Sequence, residues 1–177
     1  LLGLMSIQIF AQGNTATHDI EVGVPAVALL SVEGGSSIDL KATAPSSAGL
    51  EVDLTSTNTD LWINYSSIIN SSNTSRSISV HVSNGTIPSG ISINLVAGTD
   101  QGQGQGTEGD PTSAVTLTTT DQDIITGIGS VYTGNGTGNG HNLTYSAEVS
   151  NSGADYSDLD ADQNNTTLTV TYTLSDE

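Results

Sequence analysis

The chain has 177 residues, no cysteine, and 19 acidic side chains against only two strong cations, Lys41 and Arg76, for a formal charge of −17. Two cations cannot neutralise a row of phosphates, so nucleic acid is excluded as a partner and anionic lipid is disfavoured. The absence of cysteine removes disulfide and thiolate chemistry. Hydrophobic residues make up 34% and aromatics 4% of a length that suits one domain, a lean supply that only economical patterning turns into a core.

Residues 1–12, "LLGLMSIQIFAQ", have two readings. Their apolar run with Ala11 at a cleavage-like position resembles the end of a signal peptide. "MSIQIF" also alternates as a half-buried strand does. The second reading makes Leu4, Met5, Ile7, Ile9 and Phe10 a retained assembly strand, and it is the one carried forward. Residues 13–177 read as a single domain.

Nearly every later segment is strand-like. Residues 18–24 ("HDIEVGV") alternate Ile20, Val22 and Val24 until Pro25, which cannot donate to a ladder. Residues 26–34 form an almost continuous apolar strand suited to burial on both sides. Residues 37–43 ("SIDLKAT") and 50–56 ("LEVDLTS") alternate again. "LWINYSSI" carries the lone Trp62, expected in the core. "SRSISVHVS" sets Ile78, Val80 and Val82 against a solvent face of Arg76, Ser79 and His81. "ISINLVAG", "AVTLTTT", "NLTYSAEVS" and "TTLTVTYTLSDE" follow. "SNGTIPSG" and "GNGTGNGHN" are turn signals. The Gly- and Gln-rich residues 98–111 read as a flexible surface loop. Residues 119–129 ("TTDQDIITGIG") are the only helix candidate, a single turn capped by Thr119 or Thr120. Nine or ten strands at this spacing predict an all-β Greek-key β-sandwich, Ig-like or fimbrial-like, with a jelly roll as the alternative.

Chemistry is sparse. There is no G-x-S-x-G elbow and no phosphate-cradling loop leading into a helix, and His18, His81 and His141 stand apart in sequence. The expectation is a non-enzyme. Asp158, Asp160 and Asp162 follow a D-x-D-x-D spacing that could offer calcium hard oxygen ligands. The EF-hand pattern fails, because Gln163 and Thr169 stand where Gly and Glu belong. Calcium is therefore the one cofactor candidate, and a solvated acidic loop the commoner outcome. N-x-[ST] sequons occur at Asn64, Asn70, Asn73, Asn84, Asn135, Asn142, Asn164 and Asn165.

Four stretches, "HDIEVGVPAVALLSVEG", "LWINYSSI", "TTDQDIITGIGSVYTGNGTGNGHNLTYS" and "TLTVTYTLSDE", resemble a group of secreted β-sandwich proteins of Bacteroidetes-type bacteria. The closing "TVTYTL" is similar to the last strand of fimbrial and pilin-like subunits. The resemblance implies export and a surface or fimbria-like role, and supplies no catalytic residues. With the residue pattern it gives the expected function: a subunit of an extracellular filament, pilus or surface assembly, polymerising with copies of itself by donor-strand-like β-strand addition. The alternative is a secreted adhesin or carbohydrate-binding module using an exposed aromatic. No stretch reaches the ~20 apolar residues of a membrane-spanning helix.

Overall fold

The longest alternating stretch forms the spine of the molecule. In a computed structural model that describes residues 13–150, 156–163 and 165–177, β1 (Val27–Glu33) and β2 (Thr57–Ile68) pair antiparallel, from Val27 against Ile68 to Glu33 against Trp62. Along its other edge β2 meets β10 (Gly140–Val149) and then β9 (Val131–Tyr132). β10 in turn pairs with β4 (Ile91–Gln101), and β4 with β7 (Val115–Thr116). β5 (Gln105–Gly106) extends the sheet beyond β9, giving seven strands. A second sheet of four strands runs β11 (Thr169–Asp176), β3 (Arg76–Asn84), β8 (Gln122–Ile128) and β6 (Asp110–Pro111). The chain crosses between sheets after β2 and again after β3, and β10 inserts late between β2 and β4. Non-sequential neighbours of this kind are what a Greek-key sandwich requires.

Alternation fills the space between the sheets. Leu61, Ile63 and Tyr65 of β2, with Leu143 and Tyr145 of β10, face Ile78, Val80 and Val82 of β3 and Ile124, Ile125 and Ile128 of β8. Trp62 falls on the opposite side of β2 from Leu61 and Ile63 and is half-buried, which corrects the expectation that it belongs to the core.

Four further expectations are corrected. The helix candidate is strand β8: Ile124 and Ile125 are both buried because the register with β3 shifts there, and a bulge places two neighbours on one side. A broken period of two resembles a helical one in sequence. Most of residues 98–111 are held in the sheets, since this stretch takes in the end of β4 and contributes β5 to one sheet and β6 to the other. At Gly106, with φ +123°, a Cβ would collide with the Ser130 carbonyl, so only glycine allows this approach to β9. β1 is an edge strand, not one buried on both sides, and leaves Leu29 66% exposed. Arg76 and Ser79, expected at the solvent face, are buried.

Among the described residues, three alternating segments form no ladder. Residues 18–24 belong to no regular element, with Ile20, Val22 and Val24 exposed by 75%, 84% and 73%. Residues 37–43 and 50–56 share a single bridge, Thr43 to Asp53. Leu4, Met5, Ile7, Ile9 and Phe10 lie outside the described residues.

Candidate functional site

The two sheets close at one end and part at the other. The closed end is built on Arg76, the first residue of β3. Its Nε donates to Asp176 Oδ1 of β11 at 2.7 Å, and its Nη1 donates to Ser67 Oγ of β2 at 3.0 Å and to the Val27 carbonyl of β1. One guanidinium fork thus joins four strands from both sheets, a geometry that lysine cannot reproduce. Arg76 holds the Asp176 carboxyl below the ordinary carboxylate range, mainly by donating this hydrogen bond.

At the other end lies an open, mainly apolar groove of about 780 Å³. One wall is Leu61, Ile93, Tyr145 and Ala147 from the seven-stranded sheet. The facing wall is Leu168 and, from the start of β11, Val170 and Tyr172. Residues 35–41 lie across the mouth, with Ile38 and Leu40 half-buried, and Lys41 stands there exposed, 3.6 Å from Asp39. The Tyr145 and Tyr172 hydroxyls meet across the sheets. Burial raises both phenols above their usual range, and for Tyr172 the neighbouring Tyr145 raises it further. β1 and β11 flank this side of the sandwich, and among the described residues each pairs with one strand only.

A buried polar cluster lies on β2, β4 and β10. His141, with no exposure, places Nδ1 2.7 Å from the Gly98 carbonyl and Nε2 2.8 Å from the Tyr65 hydroxyl, which also reaches the Glu108 carbonyl. The Tyr65 and His141 rings stack at 5.7 Å. Asp100 Oδ1 is buried nearby without a hydrogen-bond partner among the described residues. Desolvation, then the charge of Glu108, raises its carboxyl above the ordinary value, while His141 acts in the opposite sense. Tyr65 is raised in the same way, by burial first and then by Asp100 and Glu108. The cluster can fix the register of three strands. Tyr65 also lines the second cavity, on the outer face of the larger sheet.

On the outer face of the larger sheet a second cavity, of about 400 Å³, is lined by Leu29, Ser31, Asn64, Ser66, Tyr132 and Asn135 among others. Tyr132 is 48% exposed. The glycine-rich turn before β10 folds over Asn64, whose Nδ2 donates to the Asn139 carbonyl at 2.5 Å while Oδ1 stays unpaired. Asn64 is only 4% exposed, so the folded chain offers no room for a glycan at this sequon; Asn70, Asn84 and Asn135 are exposed.

Asp158 ends one single-turn 3₁₀ helix (Tyr156–Asp158), and Asp162 lies in the next (Ala161–Gln163). Asp158, Asp160 and Asp162 are exposed, and Asp160 Oδ1 accepts from the Asp162 N–H at 2.9 Å, as in a turn. Among the described residues no three His, Asp or Glu side chains converge as metal ligands. His81 Nδ1 meets Asp121 Oδ1 at 2.7 Å. Sequence reasoning missed the role of Arg76, although one arginine in a lysine-poor chain was a usable signal. It also missed His141, which alternation alone would have placed on the core side of β10. Comparison with family models, with curated proteins and with solved structures returned no match for this chain.

Proposed function

We propose that this chain is a structural subunit of an extracellular filament, pilus or surface assembly, and that copies of it polymerise by β-strand addition. The observation that carries the reading is the apolar groove at the open end of the sandwich, flanked by two strands that, among the described residues, pair along one edge only. Exposed strand edges beside an unfilled core attract a further strand, because main-chain hydrogen bonds and alternate side chains are satisfied together. The acidic, lysine-poor composition fits a secreted, surface-located product.

The full chain, concentrated and imaged by negative-stain electron microscopy, is expected to form fibres. Each copy carries −17, so added salt should promote assembly by screening repulsion between subunits. A chain that stays monomeric by light scattering at every concentration and salt refutes the reading.

The outer-face cavity favours a second reading, a module that binds neutral carbohydrate. Tyr132 and Leu29 would cover the apolar face of a sugar ring, while Ser31, Ser66 and Asn135 offer uncharged hydrogen-bonding groups. Glycan-array binding that disappears in Tyr132→Ala supports it, and an array without signal removes it.

A further inference from the structure

Resting on the strand-addition reading, we infer that the donor strand is residues 18–24 of a second copy of this chain, and that its acceptor is the groove beside the first half of β11. Four observations converge on this pairing.

The first is an unmatched set of strands. Residues 18–24, 37–43 and 50–56 all carry strand alternation, and among the described residues they share one bridge between them. Two of the three supply groove residues, Ile38 and Leu40 from one and Leu54 from the other, while the third stands free in solvent. Strand patterning without a partner among the described residues is explained when the partner is another copy.

The second is the fit of side chains. Ile20, Val22 and Val24 are all exposed and stand at a two-residue period, so as a strand the segment would point all three into a groove. The groove wall they would meet is apolar and itself period-two, Leu168, Val170 and Tyr172.

The third is charge. The opposite face of the donor carries Asp19 and Glu21. Of the two strong cations in the chain, Arg76 is buried at the closed end and Lys41 stands at the groove mouth. Lys41 pairs there with Asp39 at 3.6 Å, so in a molecule otherwise repelling its own copies the acceptor mouth is a locally neutral place for an acidic strand to approach.

The fourth is polarity. Residue 24 leads through Pro25 into the start of β1, where Val27 is held by Arg76 at the closed end. The groove opens near Val32, toward the far end of the same strand and about 17 Å away at the usual strand rise. A donor that leaves at one end and an acceptor that opens at the other make a heterologous contact, which propagates head to tail instead of closing on itself.

Because the chain has no cysteine, engineered thiols report the contact cleanly. Full-length Val22→Cys and Ser37→Cys chains, folded separately and mixed, are treated with a short bifunctional thiol reagent and separated on a denaturing gel. Val22 and Ser37 are both exposed, so neither change should disturb folding, and matched urea midpoints check this. The expected result is a mixed dimer at least several-fold above the same-variant products, abolished when Val22→Cys also carries Ile20→Asp and Val24→Asp. Fibres without the mixed crosslink overturn this pairing and leave polymerisation standing. Neither fibres nor crosslink defeats both. A crosslink formed within single chains of the Val22→Cys/Ser37→Cys double variant at high dilution also overturns it, because the segment then fills its own groove.

Discussion

Replacing Arg76 with alanine should be the most damaging single change at the closed end of the sandwich, and the geometry gives its size. The side chain is 8% exposed and donates to three acceptors on three other strands. Without it Ser67 Oγ, on a residue with no exposure, and the Val27 carbonyl lose their donor. An orphaned buried polar group costs about 1–3 kcal/mol, and water entering the vacated space recovers part of that for two groups, so the loss should be about 3 kcal/mol. Asp176 is half-exposed and regains water, and adds nothing to this figure. At this chain length 3 kcal/mol corresponds to a fall in Tm of roughly 6–12 °C. Urea unfolding at pH 7 with linear extrapolation measures it directly. Arg76→Lys should keep less than half of the stabilisation, since it restores the charge without the fork. The two proteins should also differ in acid. Because the Asp176 carboxyl is depressed in the folded state, its contribution is present above the unfolded value near 3.9 and is lost as pH falls through the lowered folded value. The alanine variant should lack that step. A loss below about 1 kcal/mol, within the range of exposed pairs, would refute the claim that Arg76 closes the sandwich.

Three further outcomes follow from the same geometry. Asp100→Asn should raise the urea midpoint at pH 7, because burial and Glu108 disfavour the ionised carboxyl; the gain should vanish as pH drops below the unfolded carboxyl value, where wild-type Asp100 is protonated in both states. Tyr65, Tyr145 and Tyr172 have phenols raised by burial, so the unfolded chain releases these protons first and stability should decline as pH rises past about 10. Absorbance of phenolate at 295 nm should then rise together with the loss of β-sheet circular dichroism, and ionisation of all five tyrosines before any unfolding would contradict the burial. Gly140→Ala should cost well over 1 kcal/mol in the same urea assay: φ is +71°, and the new Cβ would run into the Ile63 carbonyl and the Asn64 amide. A loss under 1 kcal/mol would mean that the turn before β10 relaxes freely.

Alternation made the two sheets legible wherever a strand has a neighbour within the same chain, as in β2, β3, β10 and β11. It misled at β8, where the bulge puts Ile124 and Ile125 on one side and turns a strand into a helix-like pattern. It also could not say which alternating segments lack a partner, because a period of two records a face to be covered and not what covers it. Residues 18–24 and 37–43 differ from β10 in ladder, not in pattern. The polar positions were harder still. Arg76 occupies a strand position that reads as solvent-facing, and it is buried because Val27 and Asp176 arrive from distant parts of the chain and Ser67 from the neighbouring strand β2.

The placement of the two cations also decides how the folded chain meets a protease that cuts after lysine and arginine. The bond after Arg76 lies inside β3 and is reached only when the sandwich opens, whereas Lys41 sits in exposed, irregular backbone. Native digestion should therefore nick the chain once, after Lys41, and leave the rest intact. That single cut falls at the mouth of the groove, so whatever occupies the groove should also shield the chain from the enzyme.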